Sequence, residues 1–183
     1  MRIVGGKYKG RHFTPGKSFK ARPTTDMAKE SLFNILQNTI DFEEIKVLDL
    51  FAGTGSISFE FASRGCTNIT TVEINFNHVN FIKETIAKLD ETNIRLVKTN
   101  AFVFAEHFKE QYDLIFADPP YDMRNFSEVP DLIFRNNLLR KDGLFILEHS
   151  GEYDFSKLPQ FRELRRYGSV HFSFFRNSPS SEK

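Results

Sequence analysis

The chain has 183 residues, 40% apolar and 27% charged, enough for a single domain with a sizeable core and the balance of an ordinary globular protein. No stretch approaches the length of a membrane-spanning helix, and Arg2, Lys7, Lys9 and Arg11 interrupt any apolar signal segment after Met1. The single cysteine, Cys66, rules out an intrachain disulfide, and no Cys/His cluster has zinc-site spacing, so the expectation is a cytoplasmic protein without a metal.

Net charge is +1, but it is unevenly placed. The first 22 residues carry Arg2, Lys7, Lys9, Arg11, Lys17, Lys20 and Arg22, with no acid before Asp26, so the remainder is net negative. A basic arm on an acidic body points to a polyanionic partner and favours a nucleic-acid surface; the plain alternative is a solvated tail. The glycines of the arm and the alternation of Ile3, Tyr8 and Phe13 predict a small β-hairpin over residues 1–22.

Next comes a helix within residues 23–40. Ala28, Leu32, Ile35 and Leu36 fall at helical spacing, and Thr24 or Thr25 can cap its start. From residue 45 to residue 177 strands and helices alternate. Strands are predicted at 46–51, 68–73, 94–98, 112–117 and 144–148, the last after a turn at Asp142-Gly143. Helices are predicted at 56–64, closed by Gly65, and at 77–89, 101–108 and 130–138. Residues 161–166 and 170–175 read as a final pair of strands joined at Gly168, and residues 178–183 as a disordered tail. Alternation of this kind means a doubly wound, mostly parallel sheet with helices on both faces, a Rossmann-like α/β domain. Its ligands sit beyond the carboxyl ends of the strands, where strand order reverses.

The first strand runs into Phe51-Ala52-Gly53-Thr54-Gly55, and a helix opens at Ser56. Such a turn lets backbone approach a ligand closely and aims free N–H groups at it. Glu73 ends the next strand, 20 residues after Gly53, where an acid can grip ribose hydroxyls. The alternative is a turn that merely needs glycine. A diphosphate-binding turn wants a third Gly or Ala, but Ser58 stands there, and Asp49 inside the strand would repel phosphate. S-adenosylmethionine, with an amine and a carboxylate but no phosphate, fits better. Asp49 would attract its ammonium, the helix start its carboxylate and Glu73 its ribose. Asn100 would bond the adenine edge, with Ile74 and Ala101 against its faces.

The strand over 112–117 ends in Asp118-Pro119-Pro120-Tyr121. An exocyclic amine on a base is a poor nucleophile because its lone pair is delocalised. A carboxylate and a proline carbonyl can accept its two hydrogens, favour a pyramidal nitrogen and take the released proton. Tyr121 can stack on the base. These four residues read as a clamp for a planar amine; the plain alternative is a strand-terminating turn.

Together the glycine loop and the Asp-Pro-Pro-Tyr element resemble class I S-adenosylmethionine-dependent amino-methyltransferases. Arg2-Ile3-Val4-Gly5-Gly6 through Gly10-Arg11, Arg22-Pro23-Thr24-Thr25-Asp26 and Glu30-Ser31-Leu32-Phe33-Asn34-Ile35-Leu36 resemble, more narrowly, the bacterial 16S ribosomal RNA guanine-N2 methyltransferases. The resemblance covers nearly the whole chain. It implies a seven-stranded sheet, donor binding at the glycine loop and a flipped guanine at Asp118-Pro119-Pro120-Tyr121. The chain departs from the usual pattern at Asn100, where Asp is common, and at Met27, where a basic residue is frequent.

The leading expectation is therefore methyl transfer to the N2 amine of a guanine in small-subunit ribosomal RNA, free or partly assembled with protein. The enzyme would be a monomer whose arm (Arg2, Lys7, Lys9, Arg11, Arg22) grips RNA. An adenine-N6 methyltransferase is the runner-up, since the same clamp serves that amine. Only residues 1–44 precede the catalytic sheet, too little for the recognition domain that a sequence-reading DNA enzyme usually carries. A non-catalytic RNA-binding assembly factor on the same fold is the third reading.

Overall fold

A computed structural model describes residues 1–16 and 25–177. Lys17, Lys20, Arg22, Pro23, Thr24 and the tail over 178–183 lie outside the described residues.

Seven strands form one sheet: β1 (Lys46–Leu50), β2 (Asn68–Glu73), β3 (Ile94–Lys98), β4 (Tyr112–Ala117), β5 (Leu139–His149), β6 (Phe161–Tyr167) and β7 (Val170–Arg176). Their spatial order is β3-β2-β1-β4-β5-β7-β6. The first five run parallel, and β7 is antiparallel to both β5 and β6. The order reverses between β1 and β4, so a crevice opens beyond their carboxyl ends. Helices α1 (Asp26–Gln37), α2 (Ser56–Ser63), α3 (Phe76–Leu89), α4 (Ala101–His107) and α5 (Val129–Arg135) cover the faces.

Period-two alternation feeds two cores. Leu114 and Phe116 of β4 join one cluster with Leu32, Phe33, Phe59 and Ile82. Ile115 and Ala117 join the other with Phe104, Leu132 and Phe145. Much of the phenylalanine fills these cores, as in the edge-on Phe33–Phe61 pair at 4.8 Å and the stacked Phe145–Phe175 pair at 5.1 Å. Of the two threonines able to cap α1, Thr25 does so, accepting from the Ala28 N–H at 3.2 Å.

Three expectations change. The segment before β5 is no turn. Leu139 pairs with Tyr112 and Leu144 with Leu114, so β5 runs through Asp142-Gly143 as an irregularity within one strand, with Asp142 at φ +61°. Helix α5 stops at Arg135, three residues early, where Asn136 caps it and Asn137 turns to φ +54°. The arm is not a two-stranded hairpin. It is an arch closed by a single Arg2–His12 bridge, with a 3-10 turn at Gly6–Tyr8. The arch is pinned to the body rather than free. The Val4 N–H donates to Glu60 Oε1 at 2.5 Å, the Tyr8 N–H to Ser63 Oγ at 2.9 Å, and the Tyr8 hydroxyl to Glu91 Oε2 at 2.8 Å. Gly6 is required there, because a Cβ would stand 1.9 Å from the Ser63 carbonyl oxygen. Among the described residues, no helix is long and apolar enough to cross a membrane.

Candidate active site

Beyond β1 the backbone turns sharply, with positive φ at Phe51, Gly53 and Gly55. The Ala52 N–H donates to Val72 O at 2.9 Å, and the Gly55 N–H to Ala52 O at 2.7 Å. Gly55 packs beneath the loop, where a Cβ would meet Phe59 at 3.1 Å and Ile82 at 3.2 Å. Glu73 fastens this loop to the end of β2. One carboxylate oxygen accepts from the Gly53 N–H at 2.7 Å and the other from the Asn75 N–H at 2.7 Å. Asp49 is held in the same way. Its Oδ2 accepts from the Ser58 N–H at 3.0 Å and the Ser58 hydroxyl at 2.5 Å, and that hydroxyl also lies 2.6 Å from Thr71 Oγ1. Ser58, which breaks the diphosphate pattern, therefore serves the Asp49 carboxylate. Burial pushes Asp49 up to about 6 against the pull of the Ser58 hydrogen bonds, with the nearby Glu73 charge adding to the rise.

Asn100 accepts from the Phe102 N–H at 2.8 Å and the Val103 N–H at 3.4 Å, capping α4 with its amide oxygen. Its amide nitrogen can only donate. That suits a ring nitrogen of adenine better than the adenine amino group.

Across the crevice the arrangement differs. Beyond β4 the Asp118 N–H still reaches Leu50 O at 3.4 Å, and the two prolines then end the ladder. The Pro120 carbonyl accepts from the Met123 N–H at 2.9 Å, which leaves Pro119 as the proline with a carbonyl for a ligand. The Tyr121 ring is 37% exposed. Its hydroxyl donates to Glu148 Oε1 at 3.3 Å. Asp118 reaches the cavity surface but is surrounded by protein, and among the described residues no N–H or O–H donor meets its carboxylate. Burial, then the charges of Glu148 and Asp49, raise it well above the usual carboxylate range.

Both halves open into one cavity of about 810 Å³. Asp49, Phe51, Ala52, Gly53, Glu73, Ile74, Asn100, Ala101, Asp118, Pro119, Pro120 and Tyr121 line it; Gly55 does not. Ile74 stands exposed at the rim and Ala101 is buried in the wall. No lysine or arginine stands among the described residues lining the cavity.

The cations of the arm are divided. Arg2 pairs with Asp26 at 2.8 Å, and Lys7 pairs with Glu91 at 3.1 Å while lying over the Tyr8 ring. Arg11 lies 5.5 Å from the centre of that ring, and Lys9 is exposed. Gly6 and Tyr8 meet the far end of α2 at Ser63, about 10 Å along its axis from Ser56 at the cavity rim. Sequence reasoning gave no role to two buried groups at this site. Lys29 donates to the Arg2 carbonyl and to Ser56 Oγ (2.9 Å), and lies 3.4 Å from Glu60, tying arm and α1 to the start of α2. Glu148, 3% exposed at the end of β5, forms part of the cavity wall. Its signal was an acid at the carboxyl end of a strand beside β4, as with Asp118.

Residues 1–176 match the model of a protein family described as conserved hypothetical protein 95. The chain belongs to that family. Its relatives include ribosomal RNA small subunit methyltransferase D of Escherichia coli K12, 29% identical over 100% of this chain and 92% of that protein. The protein of the same name from Buchnera aphidicola is 28% identical over 97% and 92%. Putative rRNA methyltransferase YlbH of Bacillus subtilis is 32% identical over 84% and 85%. Among solved structures, the putative methyltransferase yhhF from Escherichia coli superposes with a TM-score of 0.84, at 28% identity over 96% of this chain and 97% of that one. The family fold is thus that of class I methyltransferases, with the crevice between β1 and β4 as its cavity.

Proposed function

We propose that this protein transfers a methyl group from S-adenosylmethionine to the N2 amine of a guanine in small-subunit ribosomal RNA. The observation that carries the reading is the single cavity joining the Glu73-fastened glycine loop to Asp118 and Tyr121 at the reversal of strand order. The donor fits its walls. Glu73 offers carboxylate lone pairs for ribose hydroxyls, Asp49 a negative charge for an ammonium, and Gly53 open space above the loop. A wall without lysine or arginine counts against a phosphate-bearing cofactor. When bound, S-adenosylmethionine supplies an electrophilic methyl group.

The chain's own residues prepare the nucleophile. Asp118 and the Pro119 carbonyl accept the two hydrogens of the exocyclic amine, which leaves its lone pair free to point away from them. The raised affinity of Asp118 for protons suits it to take the proton released by methylation. Tyr121 stacks on the flipped base, a contact worth about 1–3 kcal/mol. Among the arm's described cations, Lys9 and Arg11 are those that no carboxylate holds, and they meet RNA phosphates. The substrate is a structured small-subunit RNA, free or partly assembled with protein, modified in the cytoplasm by a monomeric enzyme.

The test offers labelled donor with small-subunit particles, naked ribosomal RNA and duplex DNA, then identifies the methylated nucleoside. N2-methylguanine from the small-subunit RNA is expected. N6-methyladenine in DNA as the main product would overturn the proposal.

A further inference from the structure

We infer that Glu148 selects guanine by accepting the N1–H of the target base, beside the amine held by Asp118. The inference rests on the guanine reading above and names the residue that makes it guanine. Strands β4 and β5 are parallel, with Ala117 opposite Leu147. Asp118 and Glu148 therefore follow at the same level on neighbouring strand ends, and both line the cavity. The Tyr121 hydroxyl, 3.3 Å from Glu148 Oε1, fixes that carboxylate at the edge of the ring on which the base stacks. A base lying on Tyr121 thus presents its hydrogen-bonding edge to both acids.

The chemistry of that edge decides between bases. Guanine carries N1–H and the N2 amine side by side, three hydrogens in a row and every one a donor. Adenine and cytosine place a bare ring nitrogen beside their amine. An ionised carboxylate only accepts, so against that nitrogen it meets a lone pair and gains nothing. Sites built to hydrogen-bond a group reject analogues that lack it, because their own buried polar atoms are then left unpaired. Asp118, buried beside the Glu148 charge and with no donor to its carboxylate among the described residues, is costly without a ligand, and a donor on the target base relieves it.

The experiment uses the full chain and small-subunit RNA ligated to carry either guanosine or 2-aminopurine riboside at the methylated position. The analogue keeps the N2 amine and lacks N1–H. Single-turnover transfer by the wild type should be about 10- to 150-fold slower on the analogue, the loss of one charge-assisted hydrogen bond. In Glu148→Gln that ratio should collapse toward one, because the amide can donate to the bare nitrogen. Calorimetry should show donor affinity unchanged in this variant. In Tyr121→Phe, which keeps the stacking ring and loses the phenol contact that fixes Glu148, the ratio should fall part-way toward one. Equal wild-type rates on the two RNAs, or a ratio untouched by Glu148→Gln, would overturn the inference while leaving the guanine reading in place. Transfer to neither RNA would sink the guanine reading and the inference with it.

Discussion

The two walls of the cavity solve the same problem in opposite ways. On the donor side each buried acid is satisfied by the protein itself: Glu73 by two backbone N–H groups and Asp49 by Ser58. On the acceptor side Asp118 has no donor among the described residues and stands against Glu148. The donor wall is finished before any ligand arrives, whereas on the acceptor wall Asp118 has no donor to its carboxylate among the described residues. A wall of the first kind suits a cofactor bound alike in every turnover. A wall of the second kind keeps its free energy for the one group it must recognise.

The contrast is broken most severely at Asp118. Asp118→Ala should lower single-turnover methyl transfer by about 1,000-fold, within the range of general-base and electrostatic effects, while calorimetry shows donor affinity within about twofold of wild type. A near-normal rate would remove the amine clamp. Glu73→Ala attacks the other wall. It should weaken S-adenosylmethionine binding by about 10- to 150-fold through lost charge-assisted hydrogen bonds, and titration calorimetry measures it. Unchanged affinity would refute the ribose assignment.

Smaller effects sharpen the picture away from the acids. Reversing Lys9 and Arg11 to Glu should flatten the log–log salt dependence of RNA binding by about 1.5 and leave donor affinity alone, because two phosphate contacts are lost. A filter-binding series from 50 to 200 mM salt is sufficient, and an unaltered slope would place the RNA elsewhere. Lys7 is the wrong residue for this test, since its charge is engaged by Glu91. Asn100→Asp keeps the cap on α4 but removes the amide N–H that would donate to an adenine ring nitrogen. Donor affinity should fall by about 2- to 10-fold. A rise would mean that the adenine amino group, which needs an acceptor, lies over this position.

Much of this was legible in the sequence, and the gaps have physical causes. Strands β2, β3 and β4 match their predicted bounds, because apolar runs closed by an acid, a lysine or a proline pair leave no other place to stop. The glycine loop, Glu73 and Asp118 were readable because local spacing carries their geometry. Asp142-Gly143 misled: its turn chemistry is real, but pairing with β4 on both sides carries the strand through. The anchoring of the arm was not legible because its acidic partners lie far along the chain, Lys7 with Glu91 and the backbone of Val4 with Glu60. Glu148 was hidden in Leu147-Glu148-His149, which has no spacing signature; only the neighbouring of β4 and β5 shows what it faces.

The central claim, that Asp118 is held at the acceptor wall without a donor of its own, is tested most directly by thermal unfolding of Asp118→Asn beside wild type as a function of pH. The folded-state pKa of Asp118 is raised, so the stability linked to its protonation is present at low pH and lost as pH rises through that value. A neutral amide escapes that loss. Asp118→Asn should therefore melt higher than wild type at pH 8, by about 2–4 °C for each kcal/mol relieved, and the gain should shrink toward pH 5. A variant that melts lower than wild type at pH 8, or whose difference does not change with pH, would contradict it.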